Sequence, residues 1–175
     1  DIKKVSRVGN PPYSWLYTVE RYGIEIIDYT TRILSGYHKE IEVHGVRYID
    51  NNIGISKYLS ELKLDKSKKH ILLLHTDYPG AKDTDGREID SVENLNLNTL
   101  NRFDLVLCGH IHKPQRLGKK VYMIGAPNQQ RRTDKNCKLG YWKIYEDLSM
   151  EFVPLKGFRK FKDGESEEDI KDDGN

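Results

Sequence analysis

The sequence predicts an α/β fold, and three observations carry that expectation. His70–Leu74 (HILLL) and Phe103–Cys108 (FDLVLC) are short, almost wholly apolar strands, the pattern of a sheet covered on both faces. Between residues 53 and 64, Ile55, Tyr58, Leu59 and Leu62 share one face of a helix. Buried strands mixed with an amphipathic helix point to a sheet flanked by helices.

The elements follow in order. Residues 1–22 are weakly patterned, with a turn at Gly9-Asn10-Pro11-Pro12. Trp15, Leu16, Val19 and Tyr22 are spaced as one face of a short helix that Gly23 would end. Ile24–Asp28 reads as a strand. Lys39–Val43 and Val46–Asp50 alternate apolar and polar residues around His44-Gly45, which predicts a hairpin. Asn51-Asn52 is a break before the helix over 53–64. A polar loop runs from His75 to about Asn94, and Leu95–Leu100 reads as a short helix. Val121–Ile124 is a third buried strand. Leu139–Tyr145 and Met150–Val153 form an antiparallel pair turning at Glu146-Asp147.

Composition bounds the function classes. The chain has 175 residues, 37% of them apolar, enough for one domain with a core. No run approaches the ~20 apolar residues of a membrane span, and no charged-then-apolar leader opens the chain. Cys108 ends an apolar strand and Cys137 sits in a polar stretch, so no disulfide framework or CxxC zinc site is expected. A cytoplasmic, reducing setting fits that pattern. The net charge is +2, but residues 163–175 hold seven acids and one lysine. That leaves 28 basic against 20 acidic residues, or +8, over residues 1–162. The acidic tail is expected to be disordered. A basic body suits a polyanion such as nucleic acid, although a solvated lysine-rich surface is the commoner source of such a charge.

The chemistry concentrates in histidines. HILLL runs into His75, and FDLVLC runs into Gly109-His110-Ile111-His112. Functional groups collect at the carboxyl ends of strands in α/β sheets, and imidazole is the commonest transition-metal ligand. In an extended H-x-H both rings project to one side, with Gly109 giving the backbone room to turn sharply. His38 and His44 read as ordinary surface or core residues, and His70 is left unassigned. Asp83-Thr84-Asp85-Gly86 lacks the first and last ligands of a calcium loop, where Ala81 and Val92 stand. Asp77, Asp83 and Asp85 read as solvated loop acids, and Tyr78 as a packed loop aromatic.

Over most of its length, and more strongly from Ile71 onward, the chain resembles the calcineurin-like metallophosphoesterases, with residues 1–162 as the C-terminal part of that domain, and within them the nuclease component of bacterial SbcCD complexes and its phage recombination counterparts. The residues that carry the resemblance are GHIHKPQ, VYMIGAPNQQRR and LGYWKIYEDLSMEFVPLKGFRKF. It implies that the fold is half of a four-layer β-sandwich flanked by helices. It implies a pair of divalent metal ions, manganese above all, with His112 on the first metal and His75 and His110 on the second. Asn10, in Gly9-Asn10, matches weakly the asparagine that the family gives to the second metal. Lys113, Gln115, Arg116, Arg131 and Arg132 flank this edge and are candidate phosphate contacts. The implied partners are DNA, an SbcC-type ATPase, and a second copy of the chain.

The family's remaining ligands come from D-x-H, G-D and G-N-H-D motifs, and this sequence lacks them. Two metals ~3.5–4 Å apart activate a water and stabilise an in-line displacement, and that spacing needs a bridging carboxylate. The sequence therefore implies part of a DNA nuclease that must be completed by a further N-terminal segment. The alternatives are a degenerate module that binds DNA or the ATPase, and a small-molecule phosphodiesterase of the same superfamily.

Overall fold

The computed structural model describes residues 22–24, 30–33, 40–48, 53–90, 92 and 95–157. The predicted helix over 15–22, the strand from Ile24, Asn10 and the acidic tail lie outside the described residues, apart from Tyr22–Ile24. Among the described residues no helix is long and apolar enough to cross a membrane.

The fold is mixed α/β. The chain order is β1 (Thr30–Ile33), β2 (Ile41–Val46), α1 (Ile53–Glu61), β3 (Lys69–His75), α2 (Leu97–Leu100), β4 (Leu105–Gly109), β5 (Gln115–Arg116), β6 (Val121–Met123), a 3-10 turn (Arg132–Asn136), β7 (Gly140–Ile144) and β8 (Met150–Pro154). Six strands form one sheet in the order β1-β2-β3-β4-β6-β5. β2, β3, β4 and β6 are parallel, and the two edge strands β1 and β5 run antiparallel to their neighbours. β7 and β8 form a separate hairpin.

The apolar strands read correctly as buried because alternate residues feed two cores. On one face Leu72, Leu74, Val106, Cys108, Val121 and Met123 pack with Ile55 and Leu59 of α1, Leu100 of α2, and Phe103. On the other Ile41, Val43, Ile71, Leu105, Leu107 and Tyr122 meet Trp142 of β7 and Met150 of β8. Leu72, Ile55 and Leu59 are fully buried, each stabilising the fold by roughly 1.5–3 kcal/mol. A groove of about 1000 Å³ opens on this second face, between Ile41, Val43, Ile71, Leu73 and Leu107 of the sheet and the β7–β8 turn.

The expected hairpin at His44-Gly45 is not formed. β2 runs straight through both residues, with His44 opposite Leu72 and Gly45 opposite Leu73 of the parallel strand β3. The polar positions Glu42 and His44 imitate a solvent face, but that face is buried. The helix expected over 53–64 stops at Glu61. There the Arg102 guanidinium donates to the carbonyls of Leu59, Ser60 and Leu62, satisfying the orphan acceptors of the last turn.

Candidate metal centre

Parallel pairing sets the site. β3 and β4 are in register with His75 opposite Gly109, so both strands deliver their last residues to the same sheet edge. The rings of His75 and His110 lie edge to face, 5.3 Å between centroids. Tyr48, just beyond β2, adds a third ring, 5.8 Å from His75 and 6.2 Å from His110. Desolvation first, and then the neighbouring His110, hold His75 below the usual histidine range, so its ring is neutral and competent as a ligand at neutral pH.

The backbone here departs from the expectation of an extended H-x-H. His110 has φ of 95°, a region that side chains other than glycine rarely adopt. Such conformations cluster at functional sites and cost of order 1–3 kcal/mol. The sharp turn thus falls on His110 and not on Gly109. Gly109 is needed for a different reason: a Cβ there would sit 3.0 Å from Nδ1 of His75.

His112 takes its orientation from Asp134. The Asp134 carboxylate is fully buried, and its Oδ2 lies 2.9 Å from Nδ1 of His112. The same oxygen accepts the backbone N–H groups of Gln130 and Arg131, each at 2.9 Å. Burial alone would raise the Asp134 pKa, but these backbone hydrogen bonds and His112 carry it below the ordinary carboxylate value. With Nδ1–H donated to Asp134, His112 presents Nε2 as a lone-pair donor, the carboxylate–histidine arrangement that orients metal ligands. A second brace comes from the Gly125-Ala126 turn, where Ala126 N–H donates to the His112 carbonyl at 3.0 Å.

The remaining candidates divide. Asp77, expected as a solvated loop acid, is about two-fifths exposed and places Oδ1 3.6 Å from Nε2 of His110. Asp83 caps its own turn, accepting N–H groups from Asp85 and Arg87. Tyr78 packs against the helix-side core. Gln115 spends its side-chain amide on the backbone of Lys82, accepting its N–H and donating to its carbonyl. Arg116 bonds the carbonyls of Gly118 and Lys119 and lies over Tyr122. Lys113 is part-buried beside His112, and Arg131 and Arg132 are exposed at the start of the 3-10 turn. Sequence reasoning missed Asp134 and Tyr48. Asp134 carries no local signal in QQRRTDKN, because its partner His112 is 22 residues away.

The donor set suits a divalent ion: two imidazoles with a carboxylate beside one of them, and a third imidazole oriented by a buried acid. Among the described residues, no three ligating side chains of this edge bring their donor atoms within 4.8 Å of one another.

No protein-family model matches the chain. Over 107 residues it is 28% identical to SbcD, the D component of the SbcCD nuclease, from Staphylococcus epidermidis, in an alignment covering 57% of this chain. The aligned part is 29% of that relative's length, so the chain spans under a third of it. The similarity supports a distant relationship to that nuclease component.

Proposed function

We propose that this chain forms part of a metal-dependent DNA nuclease that hydrolyses phosphodiester bonds in repair or recombination. The observation that carries the reading is the convergence of His75 and His110 at adjacent parallel strand ends, in a chain whose similarity is to a nuclease component. In this reading His75 and His110 hold one divalent ion, with Asp77 beside them, and His112, oriented by Asp134, serves the other. Such ions, manganese foremost, would activate water and stabilise the charge of the displaced phosphate oxygen. Lys113, Arg131 and Arg132 would hold backbone phosphates, and Asn10 is a further candidate ligand. The D-x-H and G-D carboxylates would come from further chain. A second layer of that chain on the open groove face would complete the four-layer sandwich. An SbcC-type ATPase is the proposed protein partner.

The test is nuclease activity of the purified chain with added manganese, alone and with the motif-bearing segment of a related nuclease supplied in cis. Little cleavage alone, and manganese-dependent cleavage of DNA after completion, is the expected pair of results. His112→Ala should then abolish cleavage and His75→Ala impair it. Inactivity after completion would favour the degenerate binding module, and hydrolysis confined to small phosphodiesters would favour the third reading.

A further inference from the structure

At the opposite end of the same strands lies a second group of ligating side chains. Glu42 and His44 of β2 and His70 of β3 all point into the helix-side core, and all three are buried. Three atoms face a common centre. Nε2 of His44 and Nδ1 of His70 are 2.9 Å apart. Oε2 of Glu42 lies 3.5 Å from the same His70 nitrogen and 3.9 Å from the same His44 nitrogen. A point equidistant from these three atoms lies about 2.0 Å from each, the ligand distance of zinc to imidazole nitrogen and carboxylate oxygen.

The surroundings aim these atoms inward. Nε2 of His70 lies 2.9 Å from the Asp65 carbonyl. A carbonyl can only accept, so in the neutral ring Nε2 carries the proton and Nδ1 turns its lone pair to the centre. The other Glu42 oxygen, Oε1, accepts a hydrogen bond from Nζ of Lys68 at 2.7 Å, which leaves Oε2 for the centre. Orientation of ligands by outer hydrogen bonds is the usual design of a protein metal site. The His70 backbone N–H is held in turn by Asp104 Oδ2 at 2.7 Å. Desolvation, and then His70, hold His44 below the usual histidine range.

We infer that Glu42, His44 and His70 form a binding site for one zinc-class divalent ion, stapling β2 to β3 at the sheet end away from His75 and His110. This site is independent of the proposed nuclease reading. Without the ion, the 2.9 Å contact is a hydrogen bond in which His44 Nε2–H donates to His70 Nδ1. On binding, the ion takes that proton's place and His44 shifts to its Nδ1–H tautomer, so the ring stays neutral and Nε2 becomes the ligand atom. The ion coordinates three protein atoms, with water open to the fourth position. The Glu42 and Lys68 side chains keep 11% and 23% of their surface, so the ion would enter from the lysine side.

The experiment uses the full chain carrying His75→Ala, His110→Ala and His112→Ala, so that the strand-end edge cannot bind metal. After treatment with a chelator it is titrated with cobalt(II) as an optical probe, then with zinc as competitor. One cobalt per chain, displaced by zinc, is expected. Added His70→Gln should remove binding, and Lys68→Met should weaken it about 10–100-fold. Because a histidine variant of a buried pair can misfold, the unsubstituted chain is also read by long-range nitrogen NMR of its imidazoles with and without zinc. Shifts at Nε2 of His44 and Nδ1 of His70 are expected. No stoichiometric cobalt binding, or ring signals of His44 and His70 unmoved by zinc, would overturn the site and leave a hydrogen-bonded histidine pair.

Discussion

Oδ2 of Asp134 receives three groups at 2.9 Å: Nδ1 of His112 and the backbone N–H groups of Gln130 and Arg131. One buried oxygen thus fixes both a candidate ligand and the start of the arginine-bearing turn. The second oxygen, Oδ1, is buried and has no hydrogen-bond partner among the described residues.

Asp134→Ala should therefore be costly. It leaves the Gln130 and Arg131 N–H groups and His112 Nδ1–H without their acceptor, and losses of about 1–3 kcal/mol are typical of such changes. Chemical denaturation of the variant measures this directly. A loss within about 0.5 kcal/mol, the range of surface substitutions, would show that Asp134 is not structurally committed. The pH dependence has a definite sign. Because the folded pKa is depressed below the ordinary 3.8, the contribution is fully present above that value. It is lost as pH falls through the lower, folded value. The alanine variant should thus lose most of its deficit relative to the parent in strong acid.

Gly109→Ala and Gly125→Ala should separate ligation from folding. Gly109 lies in β4 without a positive φ, and its new methyl would press chiefly on the His75 ring. The variant should melt close to the parent but bind manganese about tenfold or more weakly, by displacement of His75. Gly125 has φ of 75° and would press a Cβ to 2.9 Å from Pro114. That variant should lose about 2 kcal/mol of stability. Calorimetry of both, with metal titrations, tests the distinction.

The two thiols should differ in reactivity. Burial pushes the Cys108 thiol up to about 12, so it should not react with a thiol reagent at mildly alkaline pH in the folded protein. Cys137 is only part-buried, although burial and then Asp134 raise its pKa too. One thiol labelled slowly in the native state, and two in denaturant, is the expected count. Rapid native labelling of both would show that β4 opens readily.

Phe103→Ala tests the helix-side core. Phe103 is 1% exposed and lies against the His44 ring at 5.4 Å. Truncation should cost about 3–5 kcal/mol, read as a shift in the denaturation midpoint.

Much of this was legible in the residues. HILLL and FDLVLC announced a sheet buried on both faces, and their last residues located the His75 and His110 edge. What failed did so for physical reasons. His44-Gly45 has the composition of a turn, and pairing with β1 on one side and with β3, beyond the intervening helix, on the other keeps it extended. The alternation of Glu42 and His44 suggested water on one side, yet those side chains satisfy one another and His70 in the buried interior. Asp134 gains its role from a contact that no periodicity encodes. The sharp bend was assigned to the residue most tolerant of it, Gly109, but close approach of the His75 ring claims that glycine and moves the bend to His110.

The Arg102 cap on α1 bears on the order of assembly. A nine-residue helix is too short to persist alone in water, and the acceptors of its last turn wait for a guanidinium about forty residues downstream. Local nucleation of α1 is thus tied to closure of the β3–β4 crossover, a late contact in loop-entropy terms. Amide protons of α1 should exchange with solvent together with those of β4, as one cooperative unit, and not as an independently fraying helix.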